Sequence, residues 1–281
     1  MIKKLSQQLI PLLLTVVIFL SISVLLYFFI QFLDSLPIHQ KIIPRLHLAD
    51  VLIGLTIYIK TAIDFAIFIG NLMQKHPGWK NRISIESGTA FGNFLGTLFI
   101  LTVWTFFKEV PLLLIMMIVV AALVLLGMAE EGLNDFYKNP LHFFSTSAKT
   151  ILQIVFVSLQ RINSFAAPLT RLLLPKTAAK DTSGQSSFFL FFYAVTIPLV
   201  LGLDDFAGYI PLFTVVNVFG FAIGVFLGHM LLTASLFASP SFTTKVVRSS
   251  FILLFGSLAF IGISLWGFYE AAAMLLHLIF G

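Results

Sequence analysis

Between Leu212 and Phe237 the chain carries no Asp, Glu, Lys or Arg, and that stretch is long enough to cross the roughly 30 Å of hydrocarbon in a bilayer as one helix. Further apolar runs of spanning length stand at about residues 9–33, 50–73 (interrupted by Lys60 and Asp64), 88–107, 110–129, 187–208 and 249–270. Hydrocarbon offers the backbone no water, so each run must satisfy its own hydrogen bonds as a helix. A soluble domain is excluded by the same pattern. With 59% hydrophobic and 10% charged residues, against about 45–50% and about 25% in ordinary globular chains, too little polar surface exists to face water. The chain reads as an all-α polytopic membrane protein of about seven transmembrane helices.

Loop charges set the orientation. With a cytoplasmic N-terminus, every Lys and Arg falls on the cytoplasmic side except Lys41, Arg45 and Lys108, which face outward, and Lys60, which lies inside a span. The expectation is a multi-pass protein of the bacterial inner membrane, N-terminus cytoplasmic and C-terminus outside, its first span a retained anchor. This distribution accounts for the net charge of +5 without a nucleic-acid partner; the lipid bilayer is the partner, and a homo-oligomer is left open. With no cysteine, only oxygen and imidazole groups are available as metal ligands. Enzyme chemistry finds no carrier here: the sequence holds no phosphate loop, His-Glu-x-x-His run or Gly-x-Ser-x-Gly elbow.

Four segments follow: residues 1–48, an anchor helix and outer loop; 49–129, three helices; 130–186, a cytoplasmic segment; and 187–281, three more helices. In the third segment, residues 147–173 interleave Lys149, Gln153, Gln160, Arg161 and Arg171 with Ile151, Leu152, Val155, Phe156, Leu159, Ile162 and Leu172. That mixture suits a helix lying on an anionic leaflet. Pro175–Ser187 then reads as a flexible connector.

The two three-helix segments echo each other. Ile63-Asp64-Phe65-Ala66 has an outline match in Asp204-Asp205-Phe206-Ala207, and each is followed by a glycine-spaced helix: Phe91-Gly92-Asn93-Phe94-Leu95-Gly96, then Phe219-Gly220-Phe221-Ala222-Ile223-Gly224. Three spans is an odd number, so the second copy enters the membrane inverted. Two inverted three-helix repeats can rock against each other and expose a midplane site to either side in turn.

The run AIDFAIFIGNLMQKHPGWKNRISIESGTAFG and the later DDFAGYIPLFTVVNVFGFAIGVFLGHMLL resemble the two repeats of the TerC-like members of the LysE transporter superfamily, to which cadmium-resistance exporters are related. The resemblance covers about residues 50–128 and 190–270. It implies export of a small cation, most plainly a divalent metal ion as cargo rather than a permanent cofactor. It also matches Asp64 to the first-repeat aspartate, Asp205 or its neighbour Asp204 to the second, and Asn217 to an asparagine of the following helix, which makes Asp64, Asp205 and Asn217 the implied metal ligands.

A carboxylate within a span costs on the order of 2.5–3.5 kcal/mol, so Asp64 is the residue most in need of a reason. Lys60 lies one turn earlier, and Thr56 and Asn71 extend the stripe. Two readings are open: Lys60 and Asp64 neutralise each other, or Lys60 occupies a cation's place until the cation displaces it. Asp205 is favoured over Asp204, which can be an ordinary polar helix end, while Pro198 should kink the helix before them. Asn93 reads as an interhelical hydrogen-bonding residue, and His229 as a hydrogen-bonded interface residue before a ligand or proton carrier. The glycines serve close packing. Glu86, Glu130, Glu131 and Glu270 fall at expected span ends, where solvation or capping accounts for them. The expected function is secondary transport, with Asp64, Asp205 and Asn217 binding the ion, assisted by Lys60, Asp204 and Asn71. The alternatives are export of amino acids or small organic solutes, and a non-transporting scaffold that presents residues 130–186.

Overall fold

The computed structural model describes residues 2–37, 41–138, 146–173, 186–201 and 209–280. Within them the chain forms ten α-helices and one short 3-10 helix, and no strand. The helices are α1 (Ile2–Ser35), α2 (Leu48–Thr61), α3 (Ile63–Lys75), α4 (Trp79–Phe107), α5 (Pro111–Lys138), α6 (Thr146–Leu173), α7 (Ser187–Leu201), α8 (Val218–Ala238), α9 (Pro240–Val247) and α10 (Ser250–Phe280), with the 3-10 turn at Ile210–Thr214 before α8.

Five of these, α1, α4, α5, α8 and α10, are long and apolar enough to cross a membrane, and α2 with α3 makes a sixth if the bent pair is one span. The chain is thus a multi-pass helical membrane protein. The expected run at 187–208 is described only as far as Leu201, as the shorter helix α7. Other expected boundaries move. α4 begins at Trp79, taking the basic stretch Lys80–Arg82 into its first turn, and α5 continues past residue 129 to Lys138. α10 runs unbroken beyond Glu270, where Ala271, Ala272, Ala273, Met274, Leu275 and Leu276 are all strong helix formers.

The second expected span is two helices, not one. α2 and α3 meet at Ala62 at an angle of 63° with neither proline nor glycine at the junction. The Tyr58 carbonyl accepts from the Ala62 amide at 2.9 Å and from the Thr61 hydroxyl at 3.1 Å. A threonine that bonds back to its own helix shares the carbonyl with the backbone amide, an arrangement that often accompanies a bend.

The contacts divide the chain into two compact units. The first holds α1 to α4 together with α7, α8 and α9; the second holds α5, α6, the 3-10 turn and α10. Each unit therefore draws on both halves of the sequence. In the second unit α5 packs along α10, and Gly267 of α10 lies against Ala122 of α5 and Pro211 of the 3-10 turn. α6 docks on α5: Leu152 and Leu159 are buried, the Asn163 amide donates to the Leu126 carbonyl at 3.1 Å and to the Glu130 carboxylate at 2.6 Å, and Phe156 lies against the Tyr137 ring. Ile151, Ile154, Ile162 and Phe165 of α6 remain exposed.

Glycines decide the packing in the first unit. Lipid tails are as apolar as leucine, so helices associate in membranes through close van der Waals approach, which small residues permit. α8 lays Gly220, Gly224 and Gly228 along α2. A methyl group on Gly224 would strike the Val51 carbonyl, and one on Gly228 would meet the Tyr58 ring at 2.9 Å. Gly54 of α2 returns the contact against the Phe221 carbonyl. α4 does the same to α7: Gly88 abuts the Phe191 carbonyl and the Ala194 methyl, and Gly92 the Val195 carbonyl and the Pro198 ring. In both pairs the contacts climb the two helices in the same direction, so α2 runs parallel to α8 and α4 parallel to α7.

Candidate functional site

The polar residues within the first unit fall into two groups. One lies at the junction of α2 and α3. Lys60 occupies the last turn of α2 and Asp64 the first turn of α3. A helix C-terminus carries partial negative charge and an N-terminus partial positive charge, so each side chain sits at the helix end that favours its sign. The stripe expected from Thr56 to Asn71 is broken by the bend: Lys60 is buried, whereas Thr56, Asp64 and Asn71 are exposed.

The other group lines α4 and α8. Glu86, Asn93 and Thr97 fall within a narrow angle on α4 at helical spacing, and all three are buried. One Glu86 oxygen accepts from the Thr15 hydroxyl of α1 at 2.7 Å; the other has no partner, nor has Asn93 Nδ2. The Thr97 hydroxyl donates to the Asn93 carbonyl at 2.9 Å. On α8, His229 is fully buried. Its Nδ1 pairs with the Tyr58 hydroxyl at 2.6 Å, the Phe65 ring centroid stands 5.3 Å away, and Nε2 has no partner. The Thr233 hydroxyl donates to the His229 carbonyl at 2.8 Å. His229 is thus the hydrogen-bonded interface residue that its sequence position suggested. A buried polar atom without a partner costs about 1–3 kcal/mol, a cost that Glu86, Asn93 and His229 share with Arg82 and Thr105 of α4.

Asn217 does not sit inside a helix as the sequence suggested. It is the N-cap of α8: its Oδ1 accepts from the Gly220 amide at 3.2 Å, and its Nδ2 donates to the Ile43 carbonyl at 2.8 Å. Both ends of the side chain hold the start of α8 and the loop before α2, which corrects its expected position inside the helix. Asp204 and Asp205, the implied second-half acids, lie outside the described residues. Among the described residues no three of His, Asp and Glu gather as a metal-binding group.

Glu86 is the residue that sequence reasoning passed over. Its position near the expected edge of a span suggested solvation, but α4 starts earlier than expected, and this carries the carboxylate inside. The spacing of seven residues to Asn93 was the available signal. No family model, curated protein or solved structure matches the chain.

Proposed function

We propose that this chain is a secondary transporter built from two inverted repeats, moving a small polar solute through the first unit. The observation that carries the reading is the exchanged packing of the glycine helices. If the halves are copies, α2 with α3 corresponds to α7, α4 to α8, and α5 to α10. The first helix of the first half, α2, then packs on the glycine helix of the second half, and α7 packs on the glycine helix of the first. The contacts correspond in detail: Gly224 on Val51 answers Gly88 on Phe191, and Gly228 on Leu55 and Tyr58 answers Gly92 on Val195 and Pro198.

Direction argues for inversion. Adjacent helices within one repeat are antiparallel, so α8 runs parallel to α2 only if the second copy is turned over; a repeat of even span number would make that pair antiparallel. α4 and α8 are themselves antiparallel, since Arg82 donates to the Phe237 carbonyl at 2.8 Å and Phe94 meets Phe226 at 6.1 Å. The register differs from the sequence expectation by two helical turns: Gly92 corresponds to Gly228 rather than Gly220. A receptor or scaffold has no use for such an exchange. A transporter does, because two mirrored bundles can open alternately to the two sides. The break at Ala62, with charges at facing helix ends, is likewise a feature of transporter sites. Export of a divalent cation, as the LysE-like resemblance implies, would draw on Asp64 and Asp205 without Asn217.

Because the chain has no cysteine, single cysteines report access directly. Thr97→Cys and Thr233→Cys, on opposite arms of the inverted pair, should each react with a small membrane-impermeant thiol reagent from one side, and from opposite sides. Burial of both from both sides would leave a scaffold and overturn transport.

A further inference from the structure

We infer that Asn93 and His229 form a single binding site between α4 and α8, presenting two N–H donors to the oxygen atoms of a small carboxylate or carbonyl solute. The inference deepens the transporter reading and rests on the same correspondence of helices. Asn93 directly follows Gly92 and His229 directly follows Gly228; Thr97 and Thr233 stand four residues further on, each bonded back to the carbonyl of its Asn or His. The two side chains therefore occupy one position in two inverted copies.

Their heights agree as well. With Arg82 opposite Phe237 and Phe94 opposite Phe226, interpolation along antiparallel helices puts Gly92 level with Gly228, so Asn93 and His229 lie within about one 1.5 Å residue rise of that level. A two-fold relation between antiparallel helices turns equivalent side chains toward the same face of the pair. Both are buried, and each has one nitrogen without a partner.

The chemistry of those nitrogens selects the solute. A neutral imidazole has one donor and one acceptor nitrogen. We assign the Tyr58 hydroxyl as the donor in its 2.6 Å pairing with Nδ1, which leaves the hydrogen on Nε2; the NMR experiment below tests this assignment. Asn93 Nδ2 is an amide donor. Two open donors want acceptor oxygens, whereas a metal ion needs lone pairs. The Phe65 and Tyr58 rings beside His229 confine the solute to a small one.

Formate is the smallest probe. With the protein in lipid nanodiscs and its histidines labelled with nitrogen-15, His229 should show an Nε2-protonated ring in NMR spectra, and sodium formate but not sodium chloride should shift its Nε2 signal. Asn93→Leu should weaken formate binding at least tenfold, and Asn93→Asp, which replaces the donor by an acceptor of the same shape, should abolish it; Gly127→Ala, where an added methyl meets nothing within 4 Å, serves as the folded control. An Nδ1-protonated ring, no response to formate, an unchanged affinity in both Asn93 variants, or manganese acting on His229 in place of formate would each overturn the site. Failure of the cysteine-access test with formate binding intact would remove transport and leave the site standing.

Discussion

At the scale of single residues, this protein is most sensitive where side chains are missing. Gly224 touches the Val51 backbone and Gly92 the Val195 backbone, and backbone cannot move aside as a flexible side chain can. Gly224→Leu should therefore lower stability by about 1–3 kcal/mol, the usual cost of overpacking, measured as loss of thermal stability in detergent. Gly127→Ala and Gly262→Ala, where an added methyl meets nothing within 4 Å, should be close to neutral. Asn217→Ala should cost about 1 kcal/mol through loss of the cap and leave solute binding unchanged, because its side chain is spent on Gly220 and Ile43. The glycines were legible because spacing alone reveals them. Asn217 was legible in principle, since an asparagine directly before an apolar periodic run is a start signal, but the unbroken hydropathy from Leu212 onward concealed where the helix begins. Glu86 was missed because its burial depends on where α4 starts, and the basic residues Lys80 and Arg82 argued for a later start.

Among elements, α6 and the α2–α3 junction were unequal in what the sequence disclosed. Mixed charge and apolarity announced α6, and the structure adds a division into faces: Leu152 and Leu159 against α5, Gln153 and Gln160 outward, and an exposed apolar row of Ile151, Ile154, Ile162 and Phe165. If that row enters the headgroup boundary, spin labels at Ile154→Cys and Phe165→Cys should be relaxed by oxygen, and one at Gln160→Cys by a water-soluble nickel complex. The opposite pattern would lift α6 off the membrane. The bend at Ala62 had no such announcement. It coincides with one carbonyl shared between Thr61 and Ala62, and no proline or glycine marks it. Without the bend, Lys60 and Asp64 read as one stripe; with it, they belong to two helix ends.

For the molecule as a whole, hydropathy gave the class, a multi-pass helical protein, while the number of spans depended on breaks and lengths that composition does not encode. If the halves are the inverted copies proposed above, their correspondence was visible in outline but in another register. Short phrases in a phenylalanine-rich chain match by chance, and only contacts distinguish Gly220 from Gly228 as the partner of Gly92. Inversion has a plain topological consequence. Trp79 before the body of α4 and Val215 before α8 are both exposed, and single cysteines at these positions should be labelled from opposite sides of the membrane. Labelling from the same side would mean that the halves are not inverted.

The drawing of each compact unit from both halves of the sequence bears on biogenesis. Tyr58 waits for a histidine 171 residues downstream, and the flat faces of α2 and α4 have no neighbour until α7 and α8 leave the ribosome. During synthesis the early helices must idle in the bilayer, held by insertase or chaperone. A premature stop after α5 would yield an orphan with its seams unzipped, a natural target for membrane proteases, whereas the two halves supplied as separate polypeptides could still find each other.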